Sequence, residues 1–213
     1  MGGLRQTDAM ADRTGRSPVP TESTVHRGDW YGADIGALDH ERVLFQDADF
    51  DEATGHGARF VDCTFRSASF VGAVLEGCAF ENCTFVRGTF LNATLTDCKF
   101  VGSLFDGTAF DQLRVTGGNW SFVGLAGADL RRANFDGVRM READLTGARL
   151  TGATLTGCDL AAASWSRANI AKCDLRGSTL DSLDPADVTL RGAIVDWDQA
   201  VLLARNLGLD LRA

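Results

Sequence analysis

Long apolar runs are absent from this sequence: no stretch approaches the roughly 18 to 20 residues of a membrane span. The N-terminus has no apolar signal-peptide core, which points to a cytoplasmic protein without membrane contact. Proline and tyrosine are scarce, at 3 and 1 residues, beside 24 glycines. A disordered Pro/Gly-rich chain would be rich in both glycine and proline, so that class is excluded. Basic charge is also short. The 21 Lys and Arg against 29 Asp and Glu leave a net −8, which argues against nucleic acid as a direct ligand, because phosphates need cations to neutralise them. The same balance suits a protein partner with a basic surface.

Chemistry-bearing clusters are missing too. His26, His40 and His56 share no metal-ligand spacing, and no Cys-x-x-Cys pair, phosphate-binding glycine loop or hydrolase elbow occurs. The sequence therefore predicts no enzyme activity, no catalytic residue, no metal and no cofactor.

What the chain has is a period of five. From Phe60 to Phe110 every fifth residue is Phe or Leu, and two residues before each stands a small side chain such as Ala58, Cys63 or Ala68. The grid runs in one phase from Trp30 to Val195, and 31 of its 34 large slots hold a sizeable apolar residue; His40, Gly55 and Pro185 are the exceptions. Five is neither the 3.6 of a helix nor the 2.0 of a strand, so it marks a repeat architecture. All six cysteines (63, 78, 83, 98, 158, 173) fall in the small slot, where thiols behave as compact buried hydrophobes.

Two inward residues in every five require a corner after each pentapeptide, and four corners close a square coil of 20 residues. Successive coils then stack by backbone hydrogen bonds at about 4.8 Å. Fourteen glycines sit two residues after the large slot, where a type II turn needs φ > 0; Asp47, Asp62, Asn82, Asn92 and Asp97 take the same place. The spacing predicts distorted coils at Leu38–Leu44, Thr54–Gly57 and Leu113–Leu125, where bulky and small residues exchange slots.

Residues 1–26 carry no period and read as a flexible tail, followed by a solenoid over 27–195. In 196–213, Asp196 or Asp198 can cap a helix and Gly208 can end it. Its apolar residues must bury against something, either the open edge of the last coil or a second chain.

Ala128-Asp129-Leu130-Arg131-Arg132, Ala133-Asn134-Phe135-Asp136-Gly137 and Ala143-Asp144-Leu145-Thr146-Gly147 match the A(D/N)LXX motif. In this the chain resembles the pentapeptide-repeat family, over about three quarters of its length. The resemblance implies an all-β fold, a right-handed quadrilateral parallel β-helix, with a short C-terminal α-helix. Val195–Leu211 is similar to the C-terminal helix of the MfpA- and Qnr-type quinolone-resistance proteins. That likeness implies a homodimer, with Trp197, Val201, Leu202, Arg205, Leu207 and Leu209 as its candidate interface.

Charge divides the rod. From Gly28 to Asp111 there are 14 acidic against 5 basic residues; from Gln112 to Gln199 there are 11 against 10. Folding the grid by 20 places Glu41, Asp62 and Glu81 near one corner and Glu76, Asp97 and Asp136 along another, the candidate acidic partner-binding surface. The MfpA- and Qnr-type resemblance implies a DNA mimic that binds DNA gyrase or topoisomerase IV and protects it from quinolones or gyrase-directed toxins. The cluster Arg131, Arg132, Arg139 and Arg141 departs from that pattern. A structural or adaptor solenoid docking another protein is the alternative.

Overall fold

The computed structural model describes residues 18–212. The chain winds as a parallel β-solenoid whose paired strands keep a 20-residue register: Phe45 pairs with Phe65, Phe65 with Phe85 and Leu75 with Leu95. Four corners per coil give four faces. Face 1 carries strands Ser23–His26, Val43–Gln46, Thr64–Arg66, Thr84–Val86 and Leu104–Asp106. Face 2 is a ladder of single bridges, Asp29 to Asp49 to Ser69 to Thr89 to Ala109. Face 3 holds six strands, from Thr54–His56 to Thr154–Thr156, and face 4 starts with Asp39–Glu41, Arg59–Val61 and Ala79–Glu81.

The large slots fill the axis. Phenylalanines 20 residues apart lie face to face: Phe45–Phe65 at 4.9 Å, Phe65–Phe85 at 4.8 Å, Phe70–Phe90 at 4.7 Å and Phe80–Phe100 at 4.8 Å between ring centroids. That distance is the coil spacing itself, so backbone pairing and ring stacking reinforce each other. Rings on neighbouring faces meet edge to face, as in Phe65–Phe70. All fourteen glycines expected at φ > 0 adopt it, and so do the five Asp and Asn residues. At many corners a 3→0 bond closes the turn, for example Ala53 N–H to Phe50 C=O at 3.1 Å.

The small slots also tie coils together. The Ser103 hydroxyl donates to the Phe80 carbonyl and accepts from the Cys83 N–H; Ser178 does the same with Leu155 and Cys158. Cysteine thiols occupy the same position, as in Cys83 to Phe60 C=O at 3.4 Å and Cys98 to Leu75 C=O at 3.4 Å. All six are buried free thiols, and burial pushes Cys158 up to about 11 and Cys173 up to about 12.

The solenoid starts earlier than the period shows. Residues 1–17 of the expected tail lie outside the described residues, but Ser23–His26 is a strand paired with Val43–Gln46. Val25 fills its large slot and packs on the core, and backbone pairing needs no aromatic neighbour. The first two irregular stretches are regular coils. His40 stacks on Phe60 in place of an aromatic, and Gly55 stays in register with Leu75 while Ile35 crowds over its Cα. The third is different: the face 2 ladder stops at Ala109 and resumes at Asp129.

Candidate interaction surfaces

The motif's acidic position has a structural task. In Asp29, Asp34, Asp49, Asp129, Asp144 and Asp174 the carboxylate accepts the N–H two residues on, bridging over the inward side chain. Asn119 and Asn169 do the same. This local bond is the physical reason for Asp or Asn before the large residue. Carboxylates there are therefore in part scaffold, and an interaction surface is sought where several of them stand together.

One such place is face 2 of the first coils. The bridge pairing of Asp29 with Asp49 sets these carboxylates side by side, and Asp51 and Glu52 follow on the same coil. Asp51 accepts the Val71 N–H at 2.8 Å and the Ser69 hydroxyl. Exposed Tyr31 lies among them, its phenol pushed up first by a hydrogen bond with Glu52 and then by the charge there. The 20-residue spacing of Asp29 and Asp49 is the sequence signal for this cluster, which lies outside the two corner columns.

The six corner residues are brought together less well. Glu41 and Glu81 share a column through Val61, but Asp62 lies one position aside, and Arg42 approaches both Glu41 and Asp62 at 4.0 Å. Arg42 also binds Glu22 at 2.7 Å, which holds its guanidinium above the ordinary range. Glu76 and Asp136 share a column with Thr96 and Thr116 between them, and Asp97 stands beside it, over Gly117. They form scattered charges rather than a row.

Toward the C-terminus several arginines are paired with carboxylates. Asp129 binds both Arg131 and Arg149, and the Arg131 bond holds its carboxyl below the usual range despite some burial. Arg132 pairs with Asp111 and Arg141 with Asp159. Among the described residues no group of three or more His, Cys, Asp or Glu could hold a metal ion, and no helix is long and apolar enough to cross a membrane.

The helix spans Trp197–Asn206. Asp196 caps it by accepting from Gln199 N–H, and the Gln199 side-chain oxygen accepts in turn from the Asp196 N–H. Gln199 is buried and also donates to the carbonyls of Leu175 and Ser178, both at 2.7 Å, while Asn206 donates to Leu183. The helix is thereby riveted across the last coil, with Leu202 and Leu203 packed on the core. Of the six candidate interface residues, Leu202 thus faces inward and Val201 is half-buried. Trp197, Arg205, Leu207 and Leu209 face out, Trp197 at 82% exposure, beside exposed Ile194 and Leu211.

Comparison with known proteins agrees with this geometry. A family model described as pentapeptide repeats matches residues 44–81, 124–161 and 148–182. Two trypsin-treated variants of QnrB1, a plasmid-mediated fluoroquinolone resistance protein, superpose with TM-scores of 0.74 and 0.69. They are 26% and 25% identical, and each alignment covers 91% of this chain and 97% of that one. Full-length QnrB1, at 23% identity and a TM-score of 0.57 over 89% of this chain and 99% of its own, shares the fold. No curated protein sequence matches the chain. With its 20-residue register, its five-residue slots and its Asp/Asn bridges, the chain belongs to the pentapeptide-repeat family.

Proposed function

We propose that this protein is a non-enzymatic, cytoplasmic DNA mimic that binds a type II topoisomerase, DNA gyrase or topoisomerase IV, and protects it from quinolones or gyrase-directed toxins. The observation that carries this reading is the likeness to QnrB1, a fluoroquinolone resistance protein, over nine tenths of the chain. The acidic N-terminal coils support it. A rod bearing Asp29, Asp49, Asp51 and Glu52 on and beside one face of its first coils offers a basic saddle the kind of field that a duplex offers. The apolar end formed by Ile194, Trp197, Leu207, Leu209 and Leu211 supports a homodimer joined there, since exposed patches of that kind mark association surfaces.

Supercoiling by DNA gyrase, measured with and without a quinolone while this protein is titrated in, tests the reading. Restored supercoiling in the presence of the drug, or inhibition in its absence, is expected. No effect of either kind at large excess over gyrase would overturn it. The near-neutral C-terminal half, with Arg131, Arg132, Arg141 and Arg149 tied to carboxylates, favours an adaptor that docks another protein as the second reading. A pull-down that recovers one stable partner and no topoisomerase would select it.

A further inference from the structure

We infer that the solenoid is jointed at mid-length, bending about a slot in face 2 while its other faces stay continuous. Along face 2 each coil is normally bonded to the next: Arg87, Phe90 and Asn92 N–H donate to Asp106, Ala109 and Asp111, and Ala109 N–H donates back to Gly88. One coil further on, the equivalent bonds from Gly107, Phe110 and Gln112 to Ala126, Asp129 and Arg131, and from Asp129 to Thr108, are not made. The bridge between Ala109 and Asp129 is missing with them, and the ladder resumes at Asp129 with Arg149.

Side chains register the same step. The Phe70–Phe90 rings stack at 4.7 Å, but Phe90–Phe110 are 6.1 Å apart. Between the lips lies a cavity of about 220 Å³, floored by Leu104, Phe105 and Phe110 and rimmed by Asp129 and Arg149. The rest of the wall holds at this level. Face 1 bridges Leu104 to Gly124, face 3 pairs Val115 with both Leu95 and Phe135, and face 4 bridges Lys99 to Asn119 to Arg139.

A wall bonded on three faces and open on the fourth has one soft direction. Four N–H and four C=O groups in the slot must pair with water, because unpaired backbone is costly, and water exchanges as the lips move. Among the described residues only the exposed Asp111–Arg132 pair crosses the opening, and such pairs restrain weakly. The lips cannot part far enough for an inserted strand, which needs two coil spacings, since bonded residues flank the slot on either side. Bending therefore swings the acidic N-terminal coils relative to the helix end, whatever the partner. The inference does not depend on topoisomerase binding.

Two measurements on the full chain test it. Amide exchange by NMR should be about tenfold or more faster at Gly107, Phe110, Gln112 and Asp129 than at Arg87, Phe90, Asn92 and Ala109. Electron–electron distance measurements would use spin labels three coils apart, on Leu91→Cys with Thr151→Cys across face 2 and on Val74→Cys with Asn134→Cys across face 3. The face 2 distribution should be the broader one. Equal protection of the two amide sets would show that the slot closes in solution, and equal widths would show that the rod is straight there; either result overturns the joint.

Discussion

At the residue scale, each position of the pentapeptide answers one physical need, and those needs differ in how visible they are. The large slot shows plainly in the sequence because only a sizeable apolar side chain fills the axis. The Asp or Asn before it looks like surface charge until its bond to the N–H two residues on is seen. The small slot divides by chemistry. Ser103 satisfies both a carbonyl and an N–H, whereas the Cys98 thiol makes weaker contacts with Leu75 and Thr96. Ser103→Ala should therefore cost about 1 to 3 kcal/mol in chemical denaturation, from the buried Phe80 and Cys83 groups left unpaired. Cys98→Ala should cost clearly less; the reverse order would refute the bridging role. Asp196 is tied by the Gln199 and Gly177 N–H groups, which hold its carboxyl below the ordinary value. A depressed folded value means that the cap's contribution is complete above the unfolded pKa near ~3.9 and is lost as pH falls through the lower, folded one. Trp197 fluorescence should report that loss below pH ~4, and a midpoint above it would contradict the capping geometry.

At the element scale, the coil was legible and its exceptions were not. His40 and Gly55 break the period yet keep the register, because stacked neighbours fill the space and the backbone ladder needs no particular side chain. Leu113–Leu125 keeps the period yet sits beside the interrupted face, where Trp120 occupies a slot sized for phenylalanine and leaves its indole Nε1 without a partner. The first strand leaves no mark on the period because Ser23–His26 pairs through backbone and a single inward Val25. The helix was readable from Asp196 and Gly208, but the direction of each apolar residue was not. Leu202 packs on the last coil, so a charge there would disturb folding as well as association. Trp197→Asp together with Leu209→Asp changes only exposed positions. In sedimentation this variant is expected to run as a monomer at half the wild-type mass with an unchanged circular dichroism spectrum. An unchanged mass would place any self-association elsewhere.

At the scale of the whole molecule, acidity and shape act together. The excess of acid in the N-terminal coils followed from counting charges, but which face carries it followed only from the register, which set Asp29 against Asp49 with Asp51 and Glu52 alongside. The corner columns around Glu41 and Glu76 are diluted by Arg42 and by threonines, so they contribute less field than their spacing suggested. A mimic that meets a basic saddle through such a face must bind in a salt-dependent way, since exposed charges are screened within about 8 Å at physiological ionic strength. The most direct measurement is the affinity of purified DNA gyrase for this protein across a salt series, with wild type and with Asp29→Asn, Asp49→Asn, Asp51→Asn, Glu52→Gln combined. The account predicts binding that weakens steeply with salt and a combined variant with lower affinity and a shallower slope; identical affinities and slopes for the two proteins, or no binding at low salt, would contradict it.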